Sequence, residues 1–463
     1  MKFALFFGNR GFFPEKLIDE ARNEIKAVVE GLGHETLIMP EGVTKYGAVE
    51  STADGKKYAE FLRGQEYDGV ILSLPNFGDE NGAIAALEDA GVPILVQAYP
   101  DEIGKMDFAN RRDAFCGKFS VMDVFYQHGL PYTTFSHVCS PKSQQFRREV
   151  ADFAAVCRVV KGMKRFTVGA LGARTTAFKT IRFDEITLQK YGINTETIDL
   201  SEVFHRVEQI KPGNEAVAER KKHLAAYTDF SKVPDEKAET LARVSVVIDD
   251  IIRDYGLDCL ALRCWNEFEM YLGIAPCVLL SELNDRGFVA ACELDVCNAI
   301  SMYAISLASE MPATCLDWNN NYGEEPDKCI LFHCGPVPKT LMAPGSGHVT
   351  DHKMFKKSYG EGSGWGSNEG RIAPGEMTFA SAKTHGGSLV FYIDEGEFTR
   401  DEIEKEFFGC GGVAYIPMLQ QKLNIIGKSG YRHHVSVGRG RAARAIREAF
   451  GTYLKYTIEE LDK

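Results

Sequence analysis

The chain has 463 residues, 44% hydrophobic and 25% charged, with a formal net charge of −12. That length accommodates about three domains at ~150 residues each, with cores large enough to need no staples. The acidic balance argues against nucleic acid and anionic membrane as partners, and no run approaches the ~18 apolar residues of a membrane span.

The apolar run Phe3–Phe7 stops at Gly8-Asn9-Arg10. It is too short for a signal peptide and reads as a first buried strand, so a cytoplasmic chain is expected. Further strands are predicted at Glu35–Met39, Gly69–Leu74 and Pro93–Ala98, with helices at Lys16–Leu32, Gly55–Arg63 and Glu80–Ala90 between them. Strands separated by helices imply a parallel sheet with right-handed crossovers, and ligands bind beyond the strand C-termini of such sheets. The loops Gly8–Phe12 and Pro75–Glu80 fall there.

A helix over Ser143–Lys161 leads to a second α/β series. Strands are expected at Arg165–Leu171, Glu196–Leu200, Leu257–Arg263 and Val278–Ser281, with helices at Pro234–Tyr255 and Cys297–Leu307. The last third changes character. Short β-rich runs at Lys328–His333, Met377–Ala382, Ser388–Asp394 and Arg432–Gly438 suggest an antiparallel sheet or barrel, followed by a terminal helix at Ala442–Tyr456. The Gly/Ser/His-rich stretch Thr340–Pro374 fits a flexible linker or an active-site loop equally. No internal repeat stands out. The expected plan is an α/β domain at 1–163, a second at 164–308 and a β-rich domain at 309–463.

The twelve cysteines form no CxxC pair and lie mostly in apolar runs such as Cys259–Leu262. They read as reduced core thiols rather than a disulfide framework or a structural zinc site. Walker, HExxH and GxSxG motifs are absent. Chemistry-bearing residues instead gather at the ends of apolar runs: Glu293 and Asp295, Asp317, His333, and the pair His433-His434. A lone Asp before Trp-Asn-Asn is usually a turn former, and His333 alone fits a core histidine. Taken together, oxygen donors with one or two imidazoles suit Mn²⁺, Mg²⁺ or Co²⁺.

The segment Glu293-Leu294-Asp295-Val296-Cys297-Asn298-Ala299, with Asp317 downstream and Gly430-Tyr431-Arg432-His433-His434 near the end, resembles the L-fucose isomerase and L-arabinose isomerase family. The resemblance implies two Rossmann-like parallel α/β domains followed by a β-rich domain. It implies a metal-dependent aldose–ketose isomerase working on an open-chain sugar through a cis-enediolate. Glu293 and Asp317 would act as metal ligands and proton shuttles. His434, or His433, would be a ligand, with His333 a further one, and Mn²⁺ the favoured ion. Arg10, Asn76, Arg263, Trp265, Tyr431, Arg432 and His433 are candidates for holding the substrate. Each of them taken singly fits a surface charge or a packed aromatic at least as well. The arginines also admit an acid-bearing sugar, because a guanidinium grips oxyanions in two-point fashion. A homo-oligomer, trimer or hexamer, is expected, a neighbour's first domain completing each cleft. Two other classes compete: a non-catalytic sugar-binding module, and a metal-dependent aldolase or lyase.

Overall fold

A computed structural model describes residues 1–462. The chain divides into two compact units. The first comprises Met1–Lys161 with Glu448–Lys455, and the second Gly162–Arg447 with the residues from Tyr456 on.

In the first unit, strands β1 (Lys2–Phe7), β2 (Glu35–Ile38), β3 (Gly69–Leu74) and β4 (Ile94–Ala98) form a parallel sheet in the order β2-β1-β3-β4. β3 and β4 are buried at every position, which is why they read as unbroken apolar runs. The helix Lys16–Gly31 buries Leu17, Ile18, Ala21, Ile25, Val28 and Val29, one helical face. Two more helices, Thr52–Leu62 and Glu80–Leu87, start on side-chain caps from Ser51 and Asp79. They cross at Gly55, where a Cβ would stand 2.4 Å from the Gly82 carbonyl oxygen, so only glycine permits the approach. The helix Ala114–Gln127 has no counterpart among the elements expected from the sequence.

The second unit repeats that strand order. β5 (Phe166–Leu171), β6 (Ile193–Ile198), β7 (Cys259–Leu262) and β8 (Val289–Ala291) are parallel and ordered β6-β5-β7-β8. The helix Asp235–Asp254 covers this sheet with Leu241, Val244, Val247, Ile248 and Ile251. Val278–Ser281, expected as a strand, lies within the helix Cys277–Asp285. Nearly the whole helix is buried, so it shows no polar face, and a short apolar run without periodicity does not distinguish strand from helix.

Beyond the helix Val296–Ser309 the same unit turns to β structure. The strands are β9 (Ala313–Tyr322), β10 (Glu325–His333), β11 (His348–Asp351), β12 (Trp365–Arg371), β13 (Gly375–His385), β14 (Ser388–Phe398), β15 (Cys410–Tyr415), β16 (His434–Arg439) and β17 (Thr457–Ile458). Pairing of β14 with β15 closes the ring β15-β10-β9-β16-β13-β14, an antiparallel six-stranded barrel. Its core includes Leu316, Leu331, Phe379, Tyr392, Val435 and Val437. The glycine-rich stretch expected as linker or loop contains β11, the helix Lys353–Tyr359 and β12, so it belongs to the folded sheet.

Candidate active site

β8 ends at Ala291, and the next four residues build half of a site. Glu293 and Leu294 both adopt left-handed backbone, with φ of 60° and 62°. Such a conformation costs on the order of 1–3 kcal/mol per non-glycine residue. The turn is held by a hydrogen bond from the Leu294 N–H to the Leu262 carbonyl, 3.1 Å. It delivers Glu293 to one side and Asp295 to the start of the helix Val296–Ser309. There Asp295 caps the helix by accepting the Asn298 N–H at 3.1 Å.

The barrel supplies the other half. Asp317 on β9 and His434 on β16 are cross-strand partners, and β10, which ends at His333, flanks β9. The His434 Nε2 lies 3.1 Å from Glu293 Oε2 and 3.5 Å from Asp317 Oδ1. Its other nitrogen, Nδ1, lies 2.9 Å from Asp295 Oδ2. Glu293, His333 and His434 place donor atoms within 4.8 Å of one another, and so do Asp317, His433 and His434. The Asp317 Oδ1 and His333 Nε2 atoms are buried without a hydrogen-bond partner. Orphaned buried acceptors and imidazoles cost free energy unless something polar meets them.

The titration behaviour carries the same imbalance. Burial alone would lower both His333 and His434, yet both are pushed up. For His333 the Cys334 thiol, Asp317 and Glu293 outweigh burial and raise it to about 10. For His434 the opposing groups are Cys315, Asp295 and Glu293. Burial raises Asp317. Glu293 feels the same burial, but its contact with His434 carries it below the ordinary value. Carboxylates and imidazoles stand close enough to shift one another, a donor set that suits a cation.

The paired histidines separate cleanly. His434 is fully buried and touches both carboxylates, whereas the His433 side chain is 43% exposed with Nε2 3.7 Å from Asp317 Oδ1. Arg432 is buried and paired with Asp295. Tyr431 is buried with its ring centroid 4.7 Å from that of Tyr392 and its hydroxyl unpartnered. Arg263 donates to Glu267 at 2.6 Å and to the Trp265 and Ala173 carbonyls. Trp265 stacks edge-on against Phe178, which also meets the rings of His433 and His434. Arg10 and Asn76 belong to the other unit. There Asn76 Oδ1 accepts the Arg10 N–H at 3.1 Å, and Arg10 pairs with Glu80 at 2.5 Å and covers the Phe77 ring.

Two residues had no role assigned from the sequence. Asp295 orients His434 and neutralises Arg432, and its place two residues after Glu293 was the available signal. Phe178 left no signal, since an isolated aromatic in a loop has no pattern.

Residues 4–164 match the N-terminal domain of the fucose/sulfoquinovose isomerase family, and residues 331–461 match the C-terminal domain of L-fucose isomerase. The chain is 26% identical over 316 residues to sulfoquinovose isomerases from Priestia aryabhattai and Priestia megaterium, covering 67% of this chain and 68% of each relative. It is 24% identical over 286 residues to the sulfoquinovose isomerase of Alkalicoccus urumqiensis, 60% of this chain and 62% of that one. On this α/β-plus-barrel plan, the matches define a sugar isomerase of the aldose–ketose type. The chain belongs to the fucose isomerase-like family. The binding-module and aldolase alternatives give way to that assignment. Among the described residues no helix is long and apolar enough to cross a membrane.

Proposed function

We propose that this protein is a metal-dependent aldose–ketose isomerase for a sulfonate-bearing hexose, with Glu293, Asp317 and His434 holding one divalent ion, Mn²⁺ favoured. The observation that carries the metal reading is the convergence of Glu293 Oε2 and Asp317 Oδ1 on His434 Nε2, with Asp317 Oδ1 buried and unpartnered. Two carboxylates and one imidazole without a thiolate suit a hard ion rather than zinc. The sulfonate rests on the similarity to the sulfoquinovose isomerases.

Aldose–ketose exchange moves a proton between two adjacent carbons, through a cis-enediolate of the open-chain sugar. The bound ion would supply Lewis acidity to the two sugar oxygens at those carbons. The carboxylates of Glu293 and Asp317 accept the proton from one carbon and return it to the other. Asp295 keeps the His434 ring in place and fixes its tautomer by accepting from Nδ1–H. His333 takes a different part. Its Nε2, buried without a partner, donates to a substrate oxygen rather than serving as a fourth ligand. Phe178 and Trp265 form an apolar wall that excludes water from the reacting carbons.

The test is a panel of deoxy-, pentose and acid-bearing aldoses incubated with Mn²⁺ in D₂O. The sulfonate-bearing hexose should isomerise and gain deuterium next to the carbonyl. Turnover of a neutral sugar alone would remove the sulfonate. Full activity after exhaustive metal removal would remove the ion.

A further inference from the structure

Three cysteines distant in sequence meet at one end of the second parallel sheet. Cys292 follows β8, Cys277 opens the helix Cys277–Asp285, and Cys334 follows β10. The sulfurs of Cys277, Cys292 and Cys334 all lie within 4.8 Å of one another, and Cys277 and Cys334 are 3.6 Å apart. None of the three is more than 7% exposed. Among the described residues no other three cysteines gather in this way.

The spacing has a chemical meaning. A disulfide holds its sulfurs at about 2.05 Å. Thiolates at about 2.3 Å from a tetrahedral ion place their sulfurs about 3.8 Å apart, close to the observed 3.6 Å. The local sequence sorts donors by hardness. In Cys292-Glu293 and in His333-Cys334, adjacent residues send the oxygen or imidazole donor to one cluster and the sulfur to the other. Soft thiolates and hard carboxylates select different ions.

We propose that Cys277, Cys292 and Cys334 form a second metal site, a three-thiolate cage for a soft divalent ion of the zinc class. Binding replaces three S–H bonds by three sulfur–metal bonds and releases the protons to solvent, with no change of oxidation state. The cage ties the end of β8 and the start of the helix Cys277–Asp285 to the end of β10, and through Cys334 it fixes the neighbouring His333. The sequence concealed it because each ligand comes from a separate element, none spaced as CxxC.

The experiment uses the full chain prepared with reductant and titrated with Co²⁺ as an optical probe. Thiolate ligation gives a near-ultraviolet sulfur-to-cobalt charge-transfer band, which oxygen and imidazole donors do not give. The band should saturate at one ion per chain, be bleached by Zn²⁺, be lost in Cys277→Ser and Cys292→Ser, and persist in Cys157→Ser, a buried thiol of the other unit. Absence of the band in the unaltered chain, or its survival in Cys277→Ser with Cys292→Ser combined, overturns the proposal. So does a Cys277–Cys334 disulfide found by intact mass in the reduced preparation. Should the serine variants not fold, alkylation of the unaltered chain decides. Zn²⁺ should protect these three positions, and equal labelling with and without Zn²⁺ overturns the site.

Discussion

The two parallel sheets share one strand order, β2-β1-β3-β4 and β6-β5-β7-β8, yet their C-terminal ends carry different chemistry. In the first, the loops after β1 and β3 are knitted by amides and one ion pair: Asn9 with Asn76, and Arg10 with Glu80. In the second, the ends of β7 and β8 carry thiols and a strained acidic turn, and the chain then runs on into a barrel that adds Asp317, His333 and His434. Strand order fixes where a site can form. The segment beyond the last strand decides which reaction the site can run.

The largest effects are expected at the second sheet's end. Glu293→Gln and Asp317→Asn keep shape and remove charge, and each should lower turnover roughly 100-fold or more, on the order of a general-base contribution. Steady-state rates with Mn²⁺ present check this. Equal activity would reduce the turn after β8 to a packing device like the loops of the first sheet. His434→Asn should abolish metal retention in a dialysed sample, while His433→Asn and His333→Gln should leave the metal content intact. Asp295→Asn acts through His434. A loss of roughly 10–100-fold in metal affinity is the usual scale for such an orienting carboxylate, and it is read as a shift in the Mn²⁺ titration midpoint.

Smaller effects distinguish the units by pH. Each unit contains a buried charge that burial shifts far from its usual titration, and the two are of opposite sign. Glu269, in the second, has both carboxylate oxygens unpartnered, and burial pushes it from 4.5 up to about 9. Lys118, in the first, donates to the Val96 and Ser136 carbonyls, and burial brings it from 10.5 down to about 8. The raised acid contributes stability that is full below 4.5 and lost as pH rises through about 9. Glu269→Gln removes that loss, so its stability gain over the parent should grow by at most about 1.4 kcal/mol per pH unit inside that window. The depressed lysine works in reverse: its contribution is full above 10.5 and lost as pH falls through about 8. The parent should gain on Lys118→Met by a similar slope as pH rises through that narrower range. Denaturant unfolding of the variants at stepped pH measures both slopes. Slopes of one sign in both variants would mean the two buried charges are not what distinguishes the units.

The first sheet was legible because its strands are uniform. Gly69–Leu74 is buried throughout and its boundaries were read to the residue. The helix Ala114–Gln127 was lost because Phe115 and Phe119 are exposed while Lys118 is buried, which blurs the amphipathic period. In the second unit the carboxylates and histidines were visible as residue types at run ends. The Asp295–His434 contact spans 139 positions and the closing β14–β15 pair is long-range, so neither leaves a local pattern. The left-handed turn at Glu293 and Leu294 was equally hidden, since no glycine announces it.

The pairing of His434 with Asp317 across β16 and β9 bears on how this site tolerates insertions and deletions. A one-residue slip of a strand exchanges its inner and outer faces. Gain of one residue in the turn before β16 would thus turn His434 outward, but it would bring an adjacent histidine, His433, into the same berth. The doublet is a built-in spare: an insertion that would empty most strand positions of their ligand here substitutes one imidazole for another, and the Asp295 contact is what tells the original from the copy.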